Sequence, residues 1–251
     1  MIGLAAAVLA GPAAAGAWTQ SKGHGQVIVK FEAMNATQGF DPSGDLQPLA
    51  VDRRDTVLGV FAEYGLAEGL TLQLKADWQS GEDQFVDYEG RGPLEIGVAW
   101  QAWRDDNAAF SLYAGYADGG EGRNAGYAPP GQGDQDWEVR ASLGGSLDQS
   151  WGAIPQGSYV EVQAARRMRQ GLPDETRMDF TAGSRFRPEW LLLAQAYGGQ
   201  ADDGGPKWLS VEASVVRDIG DWSLQAGWRQ TVAGRETPAS GGPIIGVWRR
   251  F

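Results

Sequence analysis

The 251-residue chain has no cysteine, one histidine, and only 21 Lys and Arg against 32 Asp and Glu. Without cysteine there is no disulfide framework and no Cys-based metal site. A net charge of −11 argues against a nucleic-acid partner, which requires a basic face. Beyond the N-terminus, no apolar run approaches the roughly 20 residues of a membrane-spanning helix. The N-terminal MIGLAAAVLAGPAAAGAW is uncharged and apolar. Small residues at Ala15 and Ala17 precede Trp18, the pattern of an export signal with an A-x-A cleavage site. The expected division is a signal over residues 1–17 and one domain over 18–251.

What the sequence has in abundance is a two-residue alternation. In LTLQLKADW, Leu70, Leu72, Leu74, Ala76 and Trp78 alternate with Thr71, Gln73, Lys75 and Asp77. This is a β-strand with one apolar and one polar face. The same pattern recurs in Val27–Ala33, Leu58–Tyr64, Leu94–Trp100, Phe110–Tyr116 and Trp137–Leu143. It continues in Val160–Ala164, Met178–Phe186, Leu209–Val215 and Trp222–Trp228. WLLLAQAY, from Trp190, is a strand whose facing the alternation leaves open, and PIIGVWRRF is the last. Twelve strands are expected, each of roughly 8 to 11 residues, the length a tilted membrane-spanning strand needs.

The connections alternate in length. GLAEGL, WRDDN, RFRPEW and DIGDW are tight turns, and Gln149–Gly157 is a longer connection at the same rim. Between them lie Met34–Asp55, Gly81–Gly92, Asp118–Asp136, Arg169–Glu175, Gly199–Pro206 and Ala233–Gly242. With Lys207 included, these six hold seventeen Asp and Glu but seven Lys and Arg. Short turns at one rim and long acidic loops at the other predict a closed all-β antiparallel transmembrane barrel with periplasmic termini. Trp78, Trp137 and Trp222 share the apolar face at strand ends, where interfacial girdles sit.

With the strands laid out, the chain resembles Gram-negative outer-membrane β-barrel proteins over its mature length. The ending GVWRRF, with terminal Phe251, looks like the C-terminal strand that barrel-assembly machinery recognises. It departs from the usual pattern in having Arg249 where an aromatic or aliphatic residue is common. The AEYGLAEGLTLQL hairpin, Ala62 to Leu74, is similar to hairpins in small outer-membrane transport proteins, including the meta-pathway phenol-degradation type. The resemblance implies a channel-like barrel in the outer membrane, with membrane lipid, lipopolysaccharide and the assembly machinery as partners.

An enzymatic reading lacks its parts. A serine hydrolase needs a base beside its nucleophile, and His24 falls at the periplasmic rim. DPSGD lacks the ligand spacing of an EF-hand, and no helix follows the glycine clusters to bind phosphate. Asp202-Asp203 and Glu82-Asp83 read as solvated loop carboxylates. No cofactor is expected.

The polar faces carry the functional expectation. If the apolar faces meet lipid, Lys30, Glu32, Glu63, Lys75, Asp77, Glu95 and Glu138 point inward. So do Arg140, Glu161, Arg177, Asp179, Arg185, Glu212 and Arg229. Buried charges of both signs must pair or stay hydrated. They therefore either line a narrow passage for small solutes or cross-link a closed core. The passage is the primary reading. The alternative is a structural or adhesion barrel acting through its acidic loops, with Asp118–Asp136 as its contact surface.

Overall fold

The computed structural model describes residues 16–83, 87–147 and 149–251. Fourteen strands are present among them. The first seven are β1 (Gly25–Phe40), β2 (Leu46–Ala67), β3 (Leu70–Glu82), β4 (Asp87–Arg91), β5 (Leu94–Arg104), β6 (Ala108–Asp118) and β7 (Gln135–Ser146). The second seven are β8 (Tyr159–Arg169), β9 (Glu175–Arg187), β10 (Trp190–Ala201), β11 (Lys207–Ile219), β12 (Trp222–Arg235), β13 (Thr237–Pro238) and β14 (Gly241–Arg250). Two are short additions at the outer rim: β4 extends the wall beside β3, and β13 pairs with the end of β1. The other twelve pair antiparallel in sequence order, and β1 bonds to both β2 and β14. The sheet is thus a closed twelve-stranded barrel, in which the ladder groups are satisfied without water and no edge is left open.

The facing of the strands follows the alternation. Leu74 and Trp78 on β3, Ile96 and Trp100 on β5, and Trp137, Val139 and Leu143 on β7 stand on the outer surface. Thr71, Gln73, Glu95, Glu138 and Ser142, from the intervening positions, are buried inside. Large apolar side chains outside and carboxylates inside invert a soluble protein, and the outer surface is one that lipid must cover. The two-residue period makes this an all-or-none choice for each strand.

Two expectations need correction. Met34–Asp55 is not a long loop. β1 runs on to Phe40, β2 resumes at Leu46, and the pairing of Gln38–Phe40 with Leu46–Pro48 extends the barrel wall outward. DPSGD is the tight turn between them. The Asp41 carboxylate accepts hydrogen bonds from the amides of Ser43 and Asp45, and Gly44 takes φ +88°, a conformation that favours glycine. At 22 residues, β2 is also far longer than a spanning strand requires. The tight turns are Glu68-Gly69, 105–107, Pro188-Glu189 and Gly220-Asp221. Residues 1–15 of the expected signal lie outside the described residues.

Candidate functional site: the lumen

Inside the barrel, the polar faces build two cavities in series. The lower one, nearer the short turns, has a volume of about 480 Å3, and the upper one about 580 Å3. Val57, Lys75, Asp77, Arg177, Asp179, Tyr197 and Arg229 line both, so these residues form the junction.

Of the fourteen residues expected on the inner face, Lys30, Glu32, Lys75, Asp77 and Glu138 line the lower cavity. Arg140, Glu161, Arg177, Asp179 and Arg229 line it as well. Glu95 lines the upper cavity. Glu212 is buried behind Lys30 and Arg229, accepting contacts from both at 3.4 and 2.7 Å. Glu63 is buried among amides, accepting from Gln20, Gln26 and Gln73 at 2.8 to 3.0 Å. Arg185 stands apart from both cavities, paired with Asp218 at 2.7 Å near the periplasmic end.

The charges are organised into two walls. On one, Arg229 bridges Glu32 (2.8 Å) and Glu212 (2.7 Å), with Lys30 alongside. On the other, β3 and β5 to β9 carry a continuous network. Lys75 and Arg140 approach Glu95, Arg140 also holds Glu138, and Arg167 reaches Glu95, Asp136 and Glu138. Arg169 and Arg177 both grip Glu175 at 2.5 Å. Tyr113 lies flat inside this wall, donating to Glu95 at 2.8 Å beneath the Arg140 guanidinium. A Cβ at Gly97 or Gly115 would collide with its ring, so both positions need glycine to admit it. Network pairing offsets part of the desolvation cost of so many inward charges.

Several of these residues escaped the sequence reading. Arg167 and Arg169 continue the parity of Glu161 and Gln163, and Glu175 that of Arg177. Extending each strand by a few residues reaches them. The apolar part of the inner face gave no such signal. Leu191, Leu193, Val216 and Trp248 are buried inside the barrel with Tyr159. In WLLLAQAY three consecutive leucines obscure the alternation. Pairing of β10 with β9 and β11 sets Leu192 outward and its neighbours inward.

Both ends of the lumen are narrowed by chain that is not barrel wall. At the outer end, the 119–134 connection turns into the mouth, burying Arg123, Asn124, Ala125 and Ala128. The Arg123 amide donates to Gln79 (2.8 Å), and its guanidinium binds Asp83 and Asp55. Across the mouth, the Asn124 carbonyl accepts from Arg169 at 2.7 Å. Tyr127 donates to Glu175 at 2.6 Å and tilts against Trp208. Burial and the adjoining Glu175 carboxylate push the Tyr127 hydroxyl well above its ordinary pKa. The middle of Asp118–Asp136, expected as an external contact surface, is therefore turned inward, because its polar groups find buried partners on opposite walls.

At the other end, residues 16–22 cross the periplasmic mouth before β1 begins. The Ala17 amide donates to Glu161 (2.8 Å), and its carbonyl accepts from Gln101 (2.6 Å). Trp18 meets Tyr159 edge-on, with ring centroids 6.2 Å apart, and the Gln20 amide donates to Thr71 at 2.8 Å. His24 is exposed beside this strap. Among the described residues, no three His, Asp or Glu side chains are grouped to hold a metal ion.

No family model and no curated protein matches the sequence. Solved structures do match the fold. The COG4313 outer membrane channel from Pseudomonas putida F1 has a TM-score of 0.66 at 11% identity, over 93% of this chain and 97% of that one. The NanC porin has a TM-score of 0.58 at 8% identity, covering 90% and 100% of the two chains. The KdgM porin, solved with oligogalacturonate, has 0.57 at 7% identity, covering 90% and 99%. The chain has the fold of outer-membrane barrel channels and porins.

Proposed function

We propose that this protein is an outer-membrane channel for the passive passage of small solutes, performing no covalent chemistry. The observation that carries the reading is the pair of cavities joined through shared, charged wall residues. A barrel of about twelve strands has room for such a passage, between the filled interior of about eight strands and the open one of about sixteen. Mixed charges on the wall set selectivity when they face water. The likeness of fold to channels and porins supports the same assignment.

The partners follow from the surface. Membrane lipid covers the apolar belt, and lipopolysaccharide meets the acidic outer rim. The assembly machinery engages β14 and the Phe251 that follows it, whose ring stacks on Tyr64 with centroids 6.4 Å apart. Planar-bilayer recording of the purified protein is the direct test, with discrete unitary currents expected. No current and no solute uptake by proteoliposomes would overturn the channel. The dense ion pairing and the strap across the periplasmic mouth favour one second reading, a closed scaffold barrel. Silent bilayers together with a protein partner captured by crosslinking would establish it.

A further inference from the structure

Every cation of the inner network has its counter-charge. Lys30 and Arg229 share Glu32 and Glu212. Lys75, Arg140, Arg167, Arg169 and Arg177 divide Glu95, Asp136, Glu138 and Glu175 among them. The carboxylates are not matched in return. Among the described residues, no cation lies within ion-pair distance, 4.0 Å, of Asp77, Asp179, Glu63 or Glu161. The Asp77 carboxylate accepts a hydrogen bond from Gln79 at 2.9 Å and lies against the Gly92 backbone.

Position gives this imbalance its meaning. Asp77 stands on β3 and Asp179 on β9, nearly opposite in the twelve-strand circuit. Both line the upper and the lower cavity, at the junction any solute must cross. With Lys75 of β3 included, the network reaching to β9 carries one cation more than its carboxylates, so the two aspartates together overbalance it. The acidic outer loops add negative charge above. An unpaired carboxylate persists inside a protein where water reaches it, and fixed charge of one sign at a narrow point concentrates the opposite ion.

We infer that the passage favours small cations over anions, and that Asp77 and Asp179 set this preference at the cavity junction. The inference rests on the channel reading above. It is tested with the full-length protein in planar bilayers under a KCl gradient at neutral pH. The dilute compartment is expected to become positive, with a potassium-to-chloride permeability ratio severalfold above one. In Asp77→Asn/Asp179→Asn the ratio falls towards one while unitary currents persist, and Asp77→Glu/Asp179→Glu restores it. A zero or negative potential on the dilute side would overturn the inference, as would an unchanged ratio in the asparagine variant. Bilayers that stay silent overturn the channel reading itself, so the two failures are distinguishable.

Discussion

Tyr127, on the loop between β6 and β7, donates a 2.6 Å hydrogen bond to Glu175 on β9. One phenol thus ties an inward-folded loop to the far side of the mouth. Tyr127→Phe keeps the ring against Trp208 and removes only that bond. The expected loss is about 1 kcal/mol, or roughly fivefold in the population of the docked loop. Single-channel records should show more frequent transitions to a higher conductance. A trace indistinguishable from the unaltered protein would mean that the loop is held by its other contacts.

Glu175 also holds Arg169 and Arg177, and its side chain is fully buried. Glu175→Gln leaves Arg169 with Asp136 alone and Arg177 with Glu138 alone as counter-charge, a change that costs about 3 kcal/mol in a buried network. The Arg54–Glu82 pair makes a 2.8 Å contact with both side chains more than half exposed. Glu82→Gln there should cost below about 1 kcal/mol. Urea unfolding in phospholipid vesicles would compare the two, and equal costs would contradict the burial argument.

Val139 is half exposed on the outer face near the middle of β7. Val139→Arg places a charge in the lipid belt and is expected to destabilise the barrel by about 2–4 kcal/mol. Thr181→Lys faces the lower cavity and should leave the heat-dependent gel shift of the folded barrel intact. A tolerated Val139→Arg alongside a disruptive Thr181→Lys would reverse the inside-out assignment.

Asp202 begins the β10–β11 connection, where Arg166 grips both its carboxylate oxygens at 2.8 and 2.5 Å. That hydrogen bonding holds the Asp202 carboxyl below its ordinary value of 3.8. Because the folded value is lowered, the contact contributes fully above the ordinary carboxylate pKa and is lost as pH falls through the lowered one. A carboxyl NMR titration in micelles should give a midpoint below 3.8, moving back up in Arg166→Gln. An unshifted midpoint would show that the contact does not form in solution.

Some of this was open to inspection in the chain alone. The alternation in LTLQLKADW is a property of extended backbone, so the facing of Lys75 and Asp77 follows from their neighbours. Loop lengths and loop charge supplied the orientation. What the strands' periodicity could not supply was their reach. Pairing between Gln38–Phe40 and Leu46–Pro48 carries β1 and β2 beyond the alternating core, and the same kind of extension brings Arg167 and Glu175 into the lumen.

The sequence by itself determined a barrel with lipid outside and charge inside, because a two-residue period admits two facings per strand and only one suits a closed membrane sheet. Only the tertiary structure decided what occupies the interior. The turn of 119–134 into the mouth depends on Asp55, Gln79, Arg169 and Glu175 meeting it from several strands. The strap at residues 16–22 depends on Thr71, Gln101 and Glu161, and the pairing that leaves Asp77 and Asp179 without cations is fixed around the whole circuit. These are long-range contacts, and no local pattern in the chain encodes them.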